Sequence, residues 1–268
     1  MNTLDIRDHL VSRAPWVDPA TTVDTVKSGD PRRPVRRLGV GWMATIYDLR
    51  AAVDDGCDLF VTHEPTFNDH RDPVDGECRR VEPGRSKQDF LDRTGLVVLR
   101  CHDAWDAWPG IGIRDSWARG LGLTDMVAEN AGAETQRRWH AVYRIEPVDL
   151  GGFAADVARR VRTLGQDGVE VLGDPGRQVS HPAVGVGCGG PDKDMIDAGA
   201  DVLIVCYDGA SYWETRERLV ELGAAVITVE HGTSEIWGMQ SLARYLGESF
   251  PELEVRFYDR QPRPFHVA

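Results

Sequence analysis

Three short apolar runs of this 268-residue chain each end in side chains that commonly bind metal ions. These side chains are His63 and Glu64, His102 and Asp106, and His231 and Glu235. Imidazole nitrogen and carboxylate oxygen together suit zinc, iron or manganese, and bridging carboxylates suit a pair of such ions. A single histidine at a strand end is more often an ordinary hydrogen-bonded residue. Because the same residue types recur at three corresponding positions, we expect a metal site.

His63 and Glu64 are neighbours, and neighbouring residues of a strand point to opposite faces of a sheet. Both can reach one site only if the strand stops there. Pro65 favours such a stop, because proline cannot donate a hydrogen bond to a neighbouring strand and restricts the residue before it. The alternative for Glu64 is a solvated carboxylate in a loop.

His231 and Glu235 are separated by Gly-Thr-Ser, which is typical of a turn followed by a helix cap. We expect Glu235 in the first turn of that helix, facing back towards the strand end. A glutamate at this position also interacts favourably with the helix dipole without any metal. His102 and Asp106 have the same ambiguity, because either can be a ligand or an ordinary polar residue.

The segment Gly-Cys-Gly-Gly at 187–190 lies between a predicted strand and a predicted helix. Glycine-rich segments in this position can hold phosphate groups. Asp192 and Asp194 follow directly and place negative charge where an anion would bind. The sequence therefore disfavours a phosphate site here.

Short strands alternate with helices at both ends of the chain. The first half has predicted strands at 36–43, 59–61 and 96–101, which enclose two helices and a long loop at 68–84. The last third has predicted strands at 183–188, 202–206 and 225–229, with helices at 192–198 and 212–222. We predict an α/β fold of two similar βαβαβ halves with mostly parallel sheets, packed around a dinuclear metal site. The halves are residues 1–125 and 181–268, and residues 126–180 connect them.

The composition restricts the class of protein. The formal net charge of −12 repels phosphate backbones and no basic stripe offsets it, so we expect no nucleic-acid partner. No apolar run approaches the roughly 18 residues that a membrane-spanning helix needs, so we expect a cytoplasmic protein without membrane contact. The five cysteines form no CxxC pair, which argues against a thiolate zinc site or a disulfide framework.

Four segments of the chain resemble those of the Nif-three-like dinuclear metal-centre hexameric proteins, also called GTP cyclohydrolase 1 type 2 homologues. They are CDLFVTHEPTF at 57–67, LRCHDAWDA at 99–107, VEVLGDPGRQVSHPAVGVGCGG at 169–190 and VITVEHGTSEIWGMQSLARYL at 226–246. The first, second and fourth contain the three ligand pairs, in the order in which that family has them.

The resemblance implies that the protein binds two divalent transition-metal ions (zinc, iron or manganese). It implies that the ligands of these two ions are His63, Glu64, Asp106, His231 and Glu235. Glu64 stands where the family has a second histidine. Met43 replaces a usual aspartate, and Trp213 lies near the place of another family histidine. The metal site is thus kept while the pocket around it is altered.

The resemblance also implies a closed homohexamer whose sites face an internal cavity. Large aromatic side chains are enriched where subunits meet. The candidates for such contacts are Trp105, Trp108, Trp117, Trp139, Trp213 and Trp237.

The function that follows is a metal-dependent hydrolase acting on a small-molecule substrate. Nucleotide ring opening of the GTP cyclohydrolase kind, phosphoester cleavage and amide cleavage would all use two ions that activate water. His102, if it is not a ligand, would move protons or orient a ligand. The alternatives are a non-catalytic metal-binding or regulatory hexamer, and an α/β protein that binds a small molecule without metal.

Overall fold

The structure is a computed structural model of the chain, and it describes residues 1–131, 138–185, 187, 192–210 and 213–264. Within these residues the α-helices are α1 (Thr3–Val11), α2 (Ile46–Asp54), α3 (Gly84–Thr94), α4 (Asp103–Asp106), α5 (Ile113–Gly120), α6 (Leu150–Val161), α7 (Asp192–Asp197), α8 (Tyr207–Ala210), α9 (Trp213–Glu221) and α10 (His231–Ser249). Single turns of 3₁₀ helix lie at Glu77–Arg79 and Arg162–Leu164.

The strands of the same residues form two larger sheets and one small one. They are β1 (Val26–Ser28), β2 (Arg37–Met43), β3 (Leu59–Glu64), β4 (Val97–Arg100), β5 (Asp125–Ala131), β6 (Arg138–Arg144), β7 (Val148–Asp149), β8 (Glu170–Leu172), β9 (Gln178–Val179), β10 (Pro182–Gly185), β11 (Val202–Cys206), β12 (Ala225–Val229) and β13 (Glu254–Tyr258).

The chain divides into two compact units. The first unit contains Met1–Trp108 and Met239–Pro262, and the second is built around Pro109–Gly238. The first unit is therefore assembled from both ends of the described chain, whereas the second is nearly continuous in sequence. The segment that we expected to be a connection, residues 126–180, contributes β6, β8 and α6 to the second unit.

The sheet of the first unit has the order β1-β4-β3-β2-β13. Its four longer strands are parallel, and only the short edge strand β1 is antiparallel. The helices α2 and α3 cover one face, where Leu49, Ala52 and Leu91 pack with Phe60 and Val98. The predicted β-α-β-loop-α-β order of this region is confirmed, while α1, β1 and β13 were not predicted.

The central strand β3 shows why this sheet forms where it does. All six of its residues are buried, as expected for a strand covered on both faces. It ends at Glu64, directly before Pro65, as the sequence predicted. Next to it, Thr45 caps α2 by accepting a hydrogen bond from the Asp48 amide at 3.2 Å, which also matches the prediction.

The sheet of the second unit has the order β5-β6-β10-β11-β12-β8. Only β10-β11 and β11-β12 are parallel, and the other three pairs are antiparallel. The expectation of mostly parallel sheets is therefore wrong for this unit. The physical reason is that β6 and β8 lie outside the β-α-β crossovers, so no helical connection requires them to run parallel to their neighbours.

The helix α10 begins at His231 itself. The predicted turn and cap between His231 and Glu235 is therefore wrong, and the two residues lie one helical turn apart, facing the same side. Within the described part of the chain, no helix combines the length and hydropathy that crossing a membrane requires.

Candidate metal centre

His63, at the end of β3, is completely buried in the first unit. Its Nδ1 lies 3.0 Å from the Cys101 carbonyl oxygen, which can only accept a hydrogen bond, so Nδ1 carries the proton. In the neutral ring Nε2 then carries the lone pair, and it lies 3.2 Å from Oδ1 of Asp106. A backbone carbonyl that fixes the tautomer in this way is the usual partner of a metal-binding histidine.

Asp106 lies at the end of the short helix α4, which begins directly after His102. The buried carboxylate of Asp24 holds this helix by accepting hydrogen bonds from the amides of His102 (2.6 Å), Asp103 (3.0 Å) and Ala104 (2.8 Å). Burial and the adjacent Asp103 carboxylate raise the pKa of Asp24, while the hydrogen bonds from the His102 and Ala104 amides oppose that rise. Asp24 thus fixes the start of α4, and with it the positions of His102 directly before the helix and Asp106 at its end.

His102 stacks on His63, with ring centroids 4.6 Å apart and planes inclined by 21°. Its Nδ1 lies 3.2 Å from Oδ1 of Asp103 and 3.4 Å from Oδ2 of Asp106. Burial lowers the pKa of His102, but the two carboxylates outweigh that effect and the pKa is raised overall. The ring therefore holds a proton more readily than an isolated histidine does.

Glu64 is almost completely buried, so it is not a solvated loop carboxylate. Its Oε2 lies 3.5 Å from Nη2 of Arg100, and its Oε1 lies 4.0 Å from Nε2 of His102. One ligand atom from each of His63, Glu64 and His102 lies within 4.8 Å of the others, which is close enough for one ion. The end of β3 at Glu64 lets two neighbouring residues reach the same place.

Arg100, at the end of β4, is fully buried and organises the region around Glu64. Its Nε donates to the His63 carbonyl at 2.8 Å, and its Nη1 donates to the His70 carbonyl. The His70 ring meets the His102 ring edge-on at 5.7 Å. Burial lowers the pKa of His70, and the charge of Arg100 lowers it further. One guanidinium thus positions the strand end and the loop that follows it.

The second unit holds further ligand-type side chains at the start of α10. His231 Nδ1 lies 2.5 Å from Oδ2 of Asp208, and His231 Nε2 lies 3.2 Å from Oε1 of the buried Glu235. Cys206, Asp208 and His231 each have a ligand atom within 4.8 Å of the others. We call His231 and Glu235 the α10 ligand pair.

Gly187 packs directly against the α10 ligand pair. A Cβ atom at this position would lie 2.5 Å from Oε1 of Glu235 and 2.6 Å from Nε2 of His231. Its φ of +46° also favours glycine. The described glycine therefore serves close approach to the pair; residues 188–190 of the glycine-rich segment that we considered for phosphate lie outside the described residues.

The first turns of α10 are fixed by close packing against α5. A Cβ atom at Gly120 would lie 1.9 Å from the Trp237 ring, and one at Gly238 would lie 2.5 Å from the Ile113 side chain. Both small residues let the two helices approach each other. This packing holds the α10 ligand pair in position.

The structure places the predicted site residues in two groups. His63, Glu64, His102 and Asp106 come together in the first unit, and His231 and Glu235 come together in the second. Sequence reasoning missed Asp24, Arg100 and Asp208, and it considered Gly187 only for phosphate.

The two departures from the family pattern also have places in the structure. Met43 is paired in register with Glu64, beside the first group. Trp213 is 62% exposed at the start of α9. Trp105 and Trp117, which we considered for subunit contacts, are core residues, and the side chain of Trp139 lies outside the described residues.

Comparison with known proteins identifies the family. A family model described as Duf34/NIF3 (NGG1p interacting factor 3) matches residues 17–264, which is most of the chain. The chain belongs to the DUF34/NIF3 family. The resemblance found in the sequence is thereby confirmed.

Two curated relatives of this DUF34/NIF3 protein carry the name GTP cyclohydrolase 1 type 2 homolog. The one from Allochromatium vinosum is 24% identical over 250 residues, which are 92% of this chain and 92% of its own. The one from Pseudomonas aeruginosa is 27% identical over 255 residues, covering 91% of this chain and 92% of its own.

Solved structures support the same fold. A Bacillus cereus protein related to NIF3 matches with a TM-score of 0.82 at 14% identity, over 100% of this chain and 99% of its own. A protein from Thermus thermophilus matches with a TM-score of 0.72 at 19% identity, over 98% of this chain and 99% of its own. The mixed α/β architecture is therefore that of the family.

Proposed function

We propose that this DUF34/NIF3 protein is a metal-dependent hydrolase of a small molecule that binds two divalent transition-metal ions per chain. The proposed ligands are His63, Glu64 and Asp106 in the first unit, and the α10 ligand pair in the second. The observation that carries the proposal is the buried His63 ring, whose protonated Nδ1 leaves the Nε2 lone pair 3.2 Å from a carboxylate oxygen. Two acceptors facing each other at this distance favour a cation between them.

The donor set of nitrogen and carboxylate oxygen fits zinc, iron or manganese. Bound ions of this kind would lower the pKa of water and polarise a substrate oxygen. The protein's own contribution to proton transfer is His102, whose Nδ1 is held by two carboxylates while Nε2 points towards Glu64. Held in this way, the His102 ring is placed to deliver a proton to a leaving group.

Metal content tests the ligand assignment. The purified protein, stripped by chelator and reconstituted with zinc, iron and manganese in turn, is expected to hold two ions per chain by elemental analysis. Asp106→Asn and Glu235→Gln should each lower this to about one, because each variant removes a charged ligand from a different group. Glu248→Gln, on an exposed position of the same helix as Glu235, is the matched control and should keep both ions. Essentially no metal in the parent protein would refute the proposal.

Turnover is tested separately. The relatives' name makes GTP the first substrate to assay, followed by phosphoesters and amides, each with and without chelator. A hydrolysis rate that needs metal and falls in His102→Ala supports the enzyme. Two bound ions without turnover on any of these substrates would favour the alternative, a metal-binding or regulatory protein.

We further propose that the protein forms a closed homohexamer. A chain with a net charge of −12 repels its copies, so assembly needs apolar interfaces of about 800 Å² per partner. Light scattering over a range of concentrations and salt is expected to give the hexamer mass, and a monomer throughout would contradict it.

A further inference from the structure

The first unit contains a cavity of about 640 Å³, and none of the candidate metal ligands lines it. It is lined by Met43 at the carboxyl end of β2, by residues at the start of α2 and by residues of α3. Its volume is within the range of pockets that hold small organic molecules, about 300–1,000 Å³. The carboxyl end of a parallel strand is also where such sites occur in α/β sheets.

The charge of the lining is opposite to that of the whole protein. Arg50 from α2 and Lys87 and Arg93 from α3 face the cavity, together with one carboxylate, Asp89. Within the residues that the structure describes, neither Arg50 nor Arg93 forms an ion pair. The cavity therefore has an excess of positive charge in a chain whose formal net charge is −12. Such a local excess attracts an anion.

Lys87 is the buried member of this set, at 9% exposure. Its ammonium donates one hydrogen bond to the Thr66 carbonyl at 2.5 Å, and an ammonium has three donors. Burial lowers the pKa of Lys87 to about 8, while the Asp72 carboxylate partly opposes that shift. The group is still mostly protonated at neutral pH, so it contributes positive charge inside the cavity.

Aromatic and apolar side chains form the rest of the wall. Tyr47 is 53% exposed although it is a large side chain, and Phe90 and Ile46 lie on the same cavity. Flat ring faces bind other rings by offset or edge-on stacking. Together with the guanidinium groups, they suit a ligand that has both a ring and a negative charge.

We propose that this cavity binds a small aromatic anion, with its ring against Tyr47 and Phe90 and its carboxylate or phosphate paired with Arg50 and Arg93. The site is separate from the metal centre, because none of its lining residues is a candidate ligand. Binding therefore does not require metal.

Isothermal titration calorimetry of the full chain, in chelator and again with metal, tests this site. The two anionic probes are nicotinate, which carries a carboxylate, and guanosine monophosphate, which carries a phosphate. Their uncharged counterparts are nicotinamide and guanosine. At least one anion is expected to bind with a millimolar or lower Kd, about tenfold more tightly than its uncharged counterpart. No binding of either anion, or binding only in the presence of metal, would overturn the proposal.

Substitutions locate the ligand in the cavity. The double variant Arg50→Ala with Arg93→Ala is expected to weaken binding of the anion by about tenfold or more, since hydrogen bonds to a charged group are lost. Tyr47→Ala should weaken it as well, by removing the stacking surface. Arg85→Ala is the matched control: Arg85 belongs to α3, pairs with Glu82 and does not line the cavity, so affinity should change less than about twofold. Parent-like affinity in the double variant would place the ligand elsewhere and refute the assignment.

Discussion

Replacing Asp24 by alanine should destabilise the first unit and displace two residues of the candidate metal centre, His102 and Asp106, at once. Asp24 is 1% exposed, and its carboxylate accepts three amide hydrogen bonds from the start of α4. Alanine has no acceptor, so these amides lose their partner.

The magnitude follows from the surroundings of each amide. The Ala104 amide is in a buried position, where an unsatisfied donor costs about 2 kcal/mol. The amides of His102 and Asp103 are only partly buried, so each lost bond costs about 1 kcal/mol. Removing a carboxylate whose pKa is raised by burial and by the adjacent Asp103 offsets part of this loss, because that environment disfavours its charge. The expected loss for Asp24→Ala is therefore about 3 kcal/mol.

Urea unfolding in the presence of chelator measures this loss without a contribution from metal binding. Asp24→Asn keeps one acceptor oxygen and should fall between the parent and Asp24→Ala. Asp18→Ala is the matched control, because Asp18 accepts hydrogen bonds from Ala20 and Thr21 on the same segment but is exposed. Its midpoint should stay close to that of the parent. An Asp24→Ala protein within about 0.5 kcal/mol of the parent would refute the reasoning.

Three further changes test other contacts. Gly187→Ala should lower the metal content towards one ion per chain, because the new Cβ would lie 2.5 Å from Oε1 of Glu235. Gly199→Ala is the control, at a φ of +94° with open space around it, and should keep both ions. An equal loss of metal in the two variants would contradict the argument from the Gly187 contact. Glu64→Ala should remove one ion while Glu64→His keeps two, and unchanged metal content in both would show that Glu64 is no ligand. Burial lowers the pKa of Lys87 from an ordinary 10.5 to about 8, so the free energy of unfolding should rise by about 3 kcal/mol as the pH increases between these two values. Urea unfolding at several pH values should show that Lys87→Met lacks this rise, and an identical pH dependence would contradict the burial of its charge.

The sequence predicted the ends of strands and helices where neighbouring residues determine them. The end of β3 could be predicted because Pro65 follows the apolar run directly, and the cap of α2 because Thr45 precedes a helical pattern. The start of α10 was placed too late, since Gly232 and Ser234 are typical of turns. There, the packing of Gly238 and Trp237 against α5 outweighs the local preference.

The residues that were missed act across long sequence separations. Asp24 holds amides that lie 78 to 80 positions further along the chain, and His231 meets Asp208 at a separation of 23. No local pattern marks such a pair in a single sequence. The antiparallel neighbours of the second sheet were missed for a related reason. The residue pattern of one strand does not predict whether the neighbouring strand is parallel or antiparallel to it.

The parallel pairing of β13 with β2 determines when the first sheet can be completed during synthesis. Glu254 pairs with Arg37 and Tyr258 with Gly41, so more than two hundred residues are made between the two partners. Until the ribosome has released β13, the backbone of β2 presents an unpaired edge, which is the kind of surface that recruits other chains. Residues 109–238 emerge in one stretch and can fold before that point. Premature termination shortly before residue 254 would therefore leave a folded second unit attached to a first sheet with an open, aggregation-prone edge.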